Sequence, residues 1–328
     1  MLRVIEDEQT IKTLQKEFEK QFRKFTNERI PVKIGYPGGN FDGTVSWANE
    51  LGIWVYHEVD KDRCWNIFGL GRPEKHSTVA ITCEINFPLQ GIDRRIGGIF
   101  AKDNGEMPIV AHRGKIGGGR KGIGKSLFEN NYIGDWKTVW DGRKQSKLAL
   151  VGALNSSHFC AQVGLFIHEV DRLKRLTPSG TPPNSASSIS HVFSKEFSGK
   201  KTYTVGQEVE SQCDHGLIVN ELASLLSKCR LKFGNDKNRD LYVIDRSGKI
   251  YTLFEVKTEI NSTNLYTGIG QLLLNSVDMK NRSKLILVVP DGLEPALKKK
   301  LKALGIDSLV FRWKGNKAIF PGFNTLRL

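Results

Sequence analysis

Two absences shape the first reading of this chain. None of its 328 residues fall in an apolar run approaching the roughly 18 consecutive positions that a membrane-spanning helix requires, so a transmembrane helix is not expected. Paired cysteines are missing too. Cys64, Cys83, Cys160, Cys213 and Cys229 are scattered, odd in number and never spaced as CxxC. That pattern argues against a disulfide framework or a structural zinc site and fits reduced thiols. The seven histidines show neither HxxxH nor HExxH spacing. The first 25 residues are charged and helical in period, without the apolar core of a signal peptide. Together these features lead us to expect a cytoplasmic protein.

What the chain does have is positive charge. Lysine and arginine number 49 against 35 acidic residues, a formal charge of +14, and both halves share the excess. Such a field draws polyanions and accelerates encounter with them, without distinguishing DNA from RNA. Hydrophobic residues make up 39% and charged residues 26%, enough apolar material for two cores. The segment LTPSGTPPNSASSIS, residues 176–190, has no charge and no apolar periodicity and is rich in Pro, Ser, Gly and Thr. It reads as a flexible linker. We therefore expect a nucleic-acid-binding or target-recognition domain over 1–175 and a second domain over 191–328.

The N-terminal domain opens with a helix whose stripe is Ile11, Leu14, Phe18, Phe22 and Phe25. Short β-like runs follow at 32–34, 44–47, 53–57, 64–68, 79–85, 98–101, 108–112 and 147–152, and residues 163–173 look helical. This predicts a β-rich α+β domain. The second domain reads as helix 216–229, strands 240–244 and 250–256, helix 267–277, strand 284–289, helix 295–304 and strand 308–312. That order predicts an α/β domain with a mixed sheet flanked by helices.

The chemistry concentrates in Leu253-Phe254-Glu255-Val256-Lys257. Strand alternation puts Glu255 and Lys257 on one face and Val256 on the other. Asp240 opens the preceding apolar strand, and Asp245–Lys249 (DRSGK) reads as a turn. A hairpin would bring Asp240 near Glu255 at a sheet edge. Two carboxylates there suit a hard cation such as Mg²⁺, with Lys257 able to orient or deprotonate an attacking water. The bland alternative is a turn cap at Asp240 and a solvated Glu255–Lys257 pair worth about 0–1 kcal/mol. Against it, these two charges interrupt an otherwise strongly apolar strand.

This arrangement resembles the PD-(D/E)XK, or restriction-endonuclease-like, nuclease superfamily over roughly the last 115 residues. The resemblance implies a restriction-endonuclease-like fold, with Asp240, Glu255 and the Val256 carbonyl holding Mg²⁺ (or Mn²⁺) and Lys257 as the catalytic lysine. Glu221, on the helix HGLIVNELASLLSKC, matches an additional acidic residue that orients or binds a second ion. Gln271, in TGIGQLLLNS, matches a glutamine that positions water or phosphate. Asn238-Arg239 stands where the strict form has proline. The implied activity is a metal-dependent endonuclease hydrolysing phosphodiester bonds, preferably of DNA with RNA not excluded. The separation of reader and cutter is analogous to restriction or phage-defence nucleases. Cutting both strands from a single-site domain would imply a homodimer.

A second motif points elsewhere. Gly119 to Ser126, GRKGIGKS, fits the GxxxxGK[ST] phosphate loop, which must follow a buried strand and open a helix. The helix predicted here is very short, and no later strand ends in a metal-binding Asp. We read the segment instead as a phosphate-backbone clamp. Arg113, Lys115, Arg120, Lys121 and Lys125 lie among six glycines without an acidic residue. Arg143, Lys144 and Lys147 extend it, and Arg94-Arg95 adds two further candidate phosphate contacts. The aromatics Trp47, Trp54, Tyr56, Trp65, Trp136 and Trp140 would fill a core or line a pocket for an extruded base. Two rivals follow: a non-catalytic nucleic-acid-binding protein, and a nucleotide hydrolase using the 119–126 loop.

Overall fold

The computed structural model describes residues 1–102, 107–117, 122–132, 134–176, 205–236, 238–277, 279, 283–326 and 328; of residues 205–210 and 212 it describes the backbone alone. The linker expected over 176–190 lies outside them, apart from Leu176. The chain is a mixed α/β protein with several sheets and, among the described residues, six α-helices. No helix among those residues is long and apolar enough to cross a membrane. Backbone contacts divide the described chain into two compact units, one of 1–176 with 205–213, the other from Asp214 onward.

The first unit runs β1 (Arg3–Val4), α1 (Glu8–Arg23), β2 (Glu28–Tyr36), β3 (Gly39–Ala48), β4 (Ile53–Val59), β5 (Arg63–Leu70), β6 (Thr78–Ala80), β7 (Cys83–Glu84) and β8 (Phe87–Pro88). It continues with β9 (Gly98–Lys102), β10 (Ile109–His112), α2 (Lys125–Asn131), β11 (Trp136–Asp141), β12 (Lys144–Ala153) and α3 (Phe159–Arg175). Five strands close a barrel in the order β1-β11-β12-β10-β9. A second sheet has the order β6-β2-β3-β4-β5-β7, with β8 also pairing β5. Its two end strands, β6 and β7, are joined by Ile81 and Thr82 alone.

Three of the barrel strands, β9, β10 and β12, are apolar on both sides. Ile99, Ala101, Ile109, Ala111, Leu148 and Leu150 form one cluster, while Phe100, Val110, Ala149 and Val151 join another with α1, α3 and the second sheet. This two-faced burial explains why these strands read as continuous hydrophobic runs rather than alternating ones. Helix α1 is capped by Asp7, whose carboxylate accepts from the Thr10 N–H at 2.7 Å. Its buried stripe is Ile11, Gln15, Phe18 and Phe22. Gln15 is satisfied by Asn66, which accepts from it at 2.8 Å.

His112, wholly buried beside the barrel, carries an acid-sensitive arrangement. Its Nδ1 accepts the Gly114 N–H at 3.0 Å, and its Nε2 lies 3.2 Å from the Glu84 carbonyl. The ring is thus held neutral with its proton on Nε2, since a proton on Nδ1 would face another N–H. Burial, which outweighs the pull of the Glu84 carbonyl, pushes its pKa down to about 4. The unfolded chain therefore takes up this proton first. Stability is complete above about pH 6.5 and falls as pH drops toward 4, by about 3 kcal/mol from this residue. Denaturant unfolding at stepped pH should show that decline, and His112→Gln should flatten it between pH 6.5 and 4.

The second unit contains α4 (Val205–Lys228, from Asp214), β13 (Lys232–Asp236), β14 (Arg239–Ile244), β15 (Ile250–Val256), α5 (Ser262–Ser276), β16 (Lys284–Pro290), α6 (Pro295–Ala303), β17 (Ile306–Lys314) and β18 (Lys317–Ile319). The sheet order follows the sequence, β13-β14-β15-β16-β17-β18. β14 runs antiparallel to both β13 and β15, whereas β15, β16 and β17 are parallel. Residues of β15 alternate between two cores. Phe254 and Val256 pack with Ile218 and Leu222 of α4, and Leu253 packs with Leu265 and Leu272 of α5. Helix α4 begins eleven residues before the expected Gly216, and α5 begins at Ser262 rather than Thr267, where Asn261 caps it by accepting the Asn264 N–H at 2.8 Å.

Candidate active site

In the second unit, Leu241 pairs with Phe254 and Tyr242 with Leu253. One further step of this register sets Asp240 opposite Glu255, where antiparallel partners share a face. The site lies at the ends of the second and third of six strands, inside the sheet rather than at the edge expected for it. That position is the carboxyl end of β15, which pairs in parallel with β16, a usual place for ligands in α/β sheets.

Both carboxylates are buried, Asp240 to 8% and Glu255 to 2% exposure. Asp240 Oδ2 accepts the Val256 N–H at 2.6 Å, which fixes its orientation against the next strand. Lys257 continues past β15, and its N–H donates to the Val288 carbonyl at 2.8 Å. Its ammonium donates to Glu255 Oε1 and, at 2.8 Å, to Gln271 Oε1. Gln271 is carried there by α5. The structure thus brings together four of the five residues singled out as catalytic: Asp240, Glu255, Lys257 and Gln271.

The fifth, Glu221, is not among them. It is half-buried on α4, where burial raises its pKa and the opposing charges are Lys317 and Lys228. Its place near Asp240 is taken by His215, six positions earlier on the same helix. His215 Nε2 lies 3.6 Å from Asp240 Oδ1, within ion-pair range but beyond a hydrogen bond, and is buried without a hydrogen-bond partner. Burial opposes charge on this imidazole, but Asp240 beside it prevails and raises its pKa. For Asp240, burial acts upward and the neighbouring His215 and Lys257 outweigh it, holding the carboxylate ionised. Glu255 goes the other way. Burial first, then the charge of Asp240, push its pKa up to about 8.

The two buried carboxylates oppose each other's charge, and each is faced by one basic group, Asp240 by His215 and Glu255 by Lys257. No group of three or more His, Cys, Asp or Glu side chains among the described residues is placed to hold a metal by itself. The donor set nevertheless fits Mg²⁺, which is commonly held by one or two carboxylates and completes its shell with water and substrate phosphate.

Gly268 sets how closely α5 approaches this site. A Cβ there would lie 2.7 Å from Leu287 Cδ1 and 3.0 Å from Lys257 Cε. Alanine would gain about 1 kcal/mol of helix propensity, but overpacking a filled core costs about 1–3 kcal/mol. Gly268→Ala should therefore lower the melting temperature and displace the Lys257 stem, and a thermal melt checks the first effect.

The candidate phosphate contacts of the first unit separate into groups. Arg113 does not reach the surface. It is 6% exposed and bidentate to the fully buried Asp141, at 2.5 and 3.0 Å. Arg94, half exposed, binds the same carboxylate at 3.1 Å and its backbone carbonyl at 2.7 Å. Arg95 is exposed but clasped by Asp93. Lys115 is exposed and pairs with no carboxylate among the described residues. Lys125 opens α2, which has only seven residues, and pairs with Glu129 at 3.2 Å. Arg120 and Lys121 lie outside the described residues, as does Gly119 at the start of the phosphate-loop pattern.

Among the aromatics, Trp47 and Trp54 are buried core residues, with Tyr56 and Trp65 packed against the same cluster. Trp136 and Trp140 instead sit half-exposed on β11. The Lys147 ammonium lies 5.3 Å above the first ring and the Arg3 guanidinium 5.8 Å above the second. Comparison with protein-family models, curated proteins and solved structures gives no match for this chain.

Proposed function

We propose that this chain is a Mg²⁺-dependent endonuclease that hydrolyses phosphodiester bonds of DNA, with the second unit as a restriction-endonuclease-like cutter and the first as its recognition module. One observation carries the reading: Asp240 and Glu255 are buried side by side at the end of two inner strands, with Lys257 held between Glu255 and Gln271. An incidental surface pair would have no reason to be buried, since burying charges costs several kcal/mol each unless function or pairing compensates. An antiparallel hairpin feeding a parallel strand through a helix is also the order that the resemblance implies.

Asp240, Glu255 and the Val256 carbonyl would hold the cation, which supplies Lewis-acid polarisation of the scissile phosphate. The remaining work belongs to side chains. The Val256 N–H keeps Asp240 in one rotamer. Gln271 and Glu255 hold the Lys257 ammonium where it orients the attacking water and meets charge developing on the phosphate. His215 supplies positive charge next to Asp240. The barrel face carrying Arg3, Lys147, Trp136 and Trp140 offers cations over aromatic rings to a nucleic-acid backbone. A cytoplasmic location and action in restriction or phage defence accord with this reading.

The test is cleavage of supercoiled plasmid and linear duplex by the full chain with Mg²⁺, with Mn²⁺ and with EDTA, beside an RNA of matched length. We expect metal-dependent nicking or linearisation of DNA that EDTA abolishes. Linearisation without a nicked intermediate would call for a second copy of the chain. Failure to cut any of these substrates under either metal, with salt-sensitive DNA binding retained, would replace this reading by the non-catalytic binding protein.

A further inference from the structure

A cavity of about 850 Å³ opens within the first unit, and its lining includes Tyr36, Val79, Ile81, Glu84, Asn86 and Lys115. It falls in the range of small-molecule sites, roughly 300–1,000 Å³. Val79, Ala80 and Ile81 give it apolar wall, and Tyr36 at the end of β2 is 44% exposed. A flat partner could stack there.

The polar side is built rather than incidental. Glu84 pairs across the sheet with Ile67. Its Oε2 accepts from Trp65 Nε1 at 3.3 Å and from Asn86 Nδ2 at 2.5 Å. Asn86 is itself buried and fixed, its Oδ1 accepting the Asn66 N–H at 2.9 Å. Both donors reach the same oxygen of Glu84, and Oε1 accepts from no donor among the described residues. The cavity therefore presents an acceptor locked in position.

The charges around it sort in the same way. Asp93 is occupied by Arg95, which also feels Asp62, and Asp60 accepts the Lys61 N–H at 2.7 Å. Lys115 and Arg63, the latter 5.2 Å over the Trp65 ring, line the cavity and have no carboxylate within 4 Å among the described residues. A ligand that satisfies all three features has a planar body, an N–H donor edge and an anionic end.

We infer that this cavity is a binding site for a single nucleotide, its amino-bearing base stacked on Tyr36 and donating to Glu84, its phosphate held by Lys115 and Arg63. The nucleotide arrives either as a base extruded from DNA or as a free nucleoside monophosphate. In the first case the cavity selects the target of the nuclease proposed above, and that part of the inference rests on that reading.

The experiment uses the full chain in EDTA, so that binding is measured without cleavage. Calorimetric titration with the four deoxynucleoside 5′-monophosphates runs beside the matching nucleosides and inorganic phosphate. Mixed-sequence duplexes carrying 2-aminopurine report extrusion by a rise in fluorescence. We expect at least one of the two probes to respond, and at least tenfold weaker binding in both Glu84→Gln and Lys115→Ala. Lys115 is exposed, so its variant separates lost contact from lost folding; a thermal melt checks Glu84→Gln. A response only to monophosphates identifies the free ligand, and a response only to 2-aminopurine identifies the extruded base. No response to either probe, or equal binding in both variants, overturns the inference. Mg²⁺-dependent cleavage is scored separately: cutting with an unresponsive cavity removes this site alone, and a responsive cavity without cutting removes the nuclease reading alone.

Discussion

With the proposed nuclease activity, Lys257→Ala is expected to slow Mg²⁺-dependent DNA cleavage by about a thousandfold, the scale typical of losing a group aimed at charge that develops in the transition state. Asp240→Asn should cost at least as much, because the amide keeps the shape of the side chain but weakens its hold on a cation. The discriminating readout is the kinetic pattern. If Lys257 acts on the transition state, its loss lowers the turnover rate and leaves DNA affinity in EDTA almost unchanged. Neither variant should unfold. Lys257→Ala removes the partner of Glu255, whose raised pKa lets it take a proton and remain neutral. Undiminished cutting by both variants would place the chemistry elsewhere in the chain, whereas equal losses of binding and cleavage would make Lys257 a binding residue.

The largest effect on stability is expected in the first unit. Asp141 is fully buried and accepts from Arg113 on both oxygens and from Arg94 on one. Burial works against its charge, and the two guanidinium groups outweigh burial and hold its pKa down. Asp141→Ala would leave the Arg113 guanidinium inside the first unit without a counter-charge, at a cost of about 3–5 kcal/mol. Two-state unfolding followed by urea titration should register most of that loss. Truncating both partners, as Arg113→Met with Asp141→Leu, should cost clearly less than the single change, since no unpaired charge remains. A single variant within about 1 kcal/mol of wild type would mean that water reaches Arg113. The same pairing adds to acid sensitivity. A depressed carboxylate contributes stability above its unfolded pKa and loses it as pH falls below that point, beginning below the range set by His112.

Periodicity made most of the second unit legible. The strands at 240–244 and 250–256, the strand at 284–289 and the helix at 295–304 are apolar segments bounded by turn residues, and they stand within a few positions of β14, β15, β16 and α6. β13 (KFGND) and β18 (KAI) escaped notice because each is short and flanked by charge, so that pairing to a neighbour rather than pattern makes them strands. The opening turns of α4, VGQEVESQC, escaped because Val, Gly, Ser and Cys are weak helix formers and the apolar positions there are sparse. In the first unit, β11 (WKTVWD) was hidden by its half-exposed face.

At the site, Asp240, Glu255 and Lys257 were readable because two-residue alternation and a hairpin turn specify their face. Gln271 was reached through the resemblance alone. His215 was not readable, since a lone histidine in a helix shows no spacing to a partner 25 positions away. Glu221 drew attention because acidic residues are expected on that helix. Six positions separate it from His215, which turns it well round the cylinder from the face that meets Asp240. Arg113 shows the same limit: a basic residue in a glycine-rich loop looks like a phosphate contact until its counter-charge, 28 positions on, is seen.

The hairpin of β14 and β15 and the helix α5 have a consequence for how the protein reaches its working state. Asp240, Glu255, Lys257 and Gln271 all fall within one contiguous ββα segment of about thirty residues. Contacts between positions so close in sequence need only short loops to close, which makes their assembly fast compared with distant pairings. The hairpin and helix can thus associate locally, and β16, whose Val288 carbonyl holds the Lys257 N–H, completes the arrangement. Such a contiguous segment is also a natural unit of inheritance. Changes in flanking strands, or in the other unit, can accumulate without rebuilding this segment.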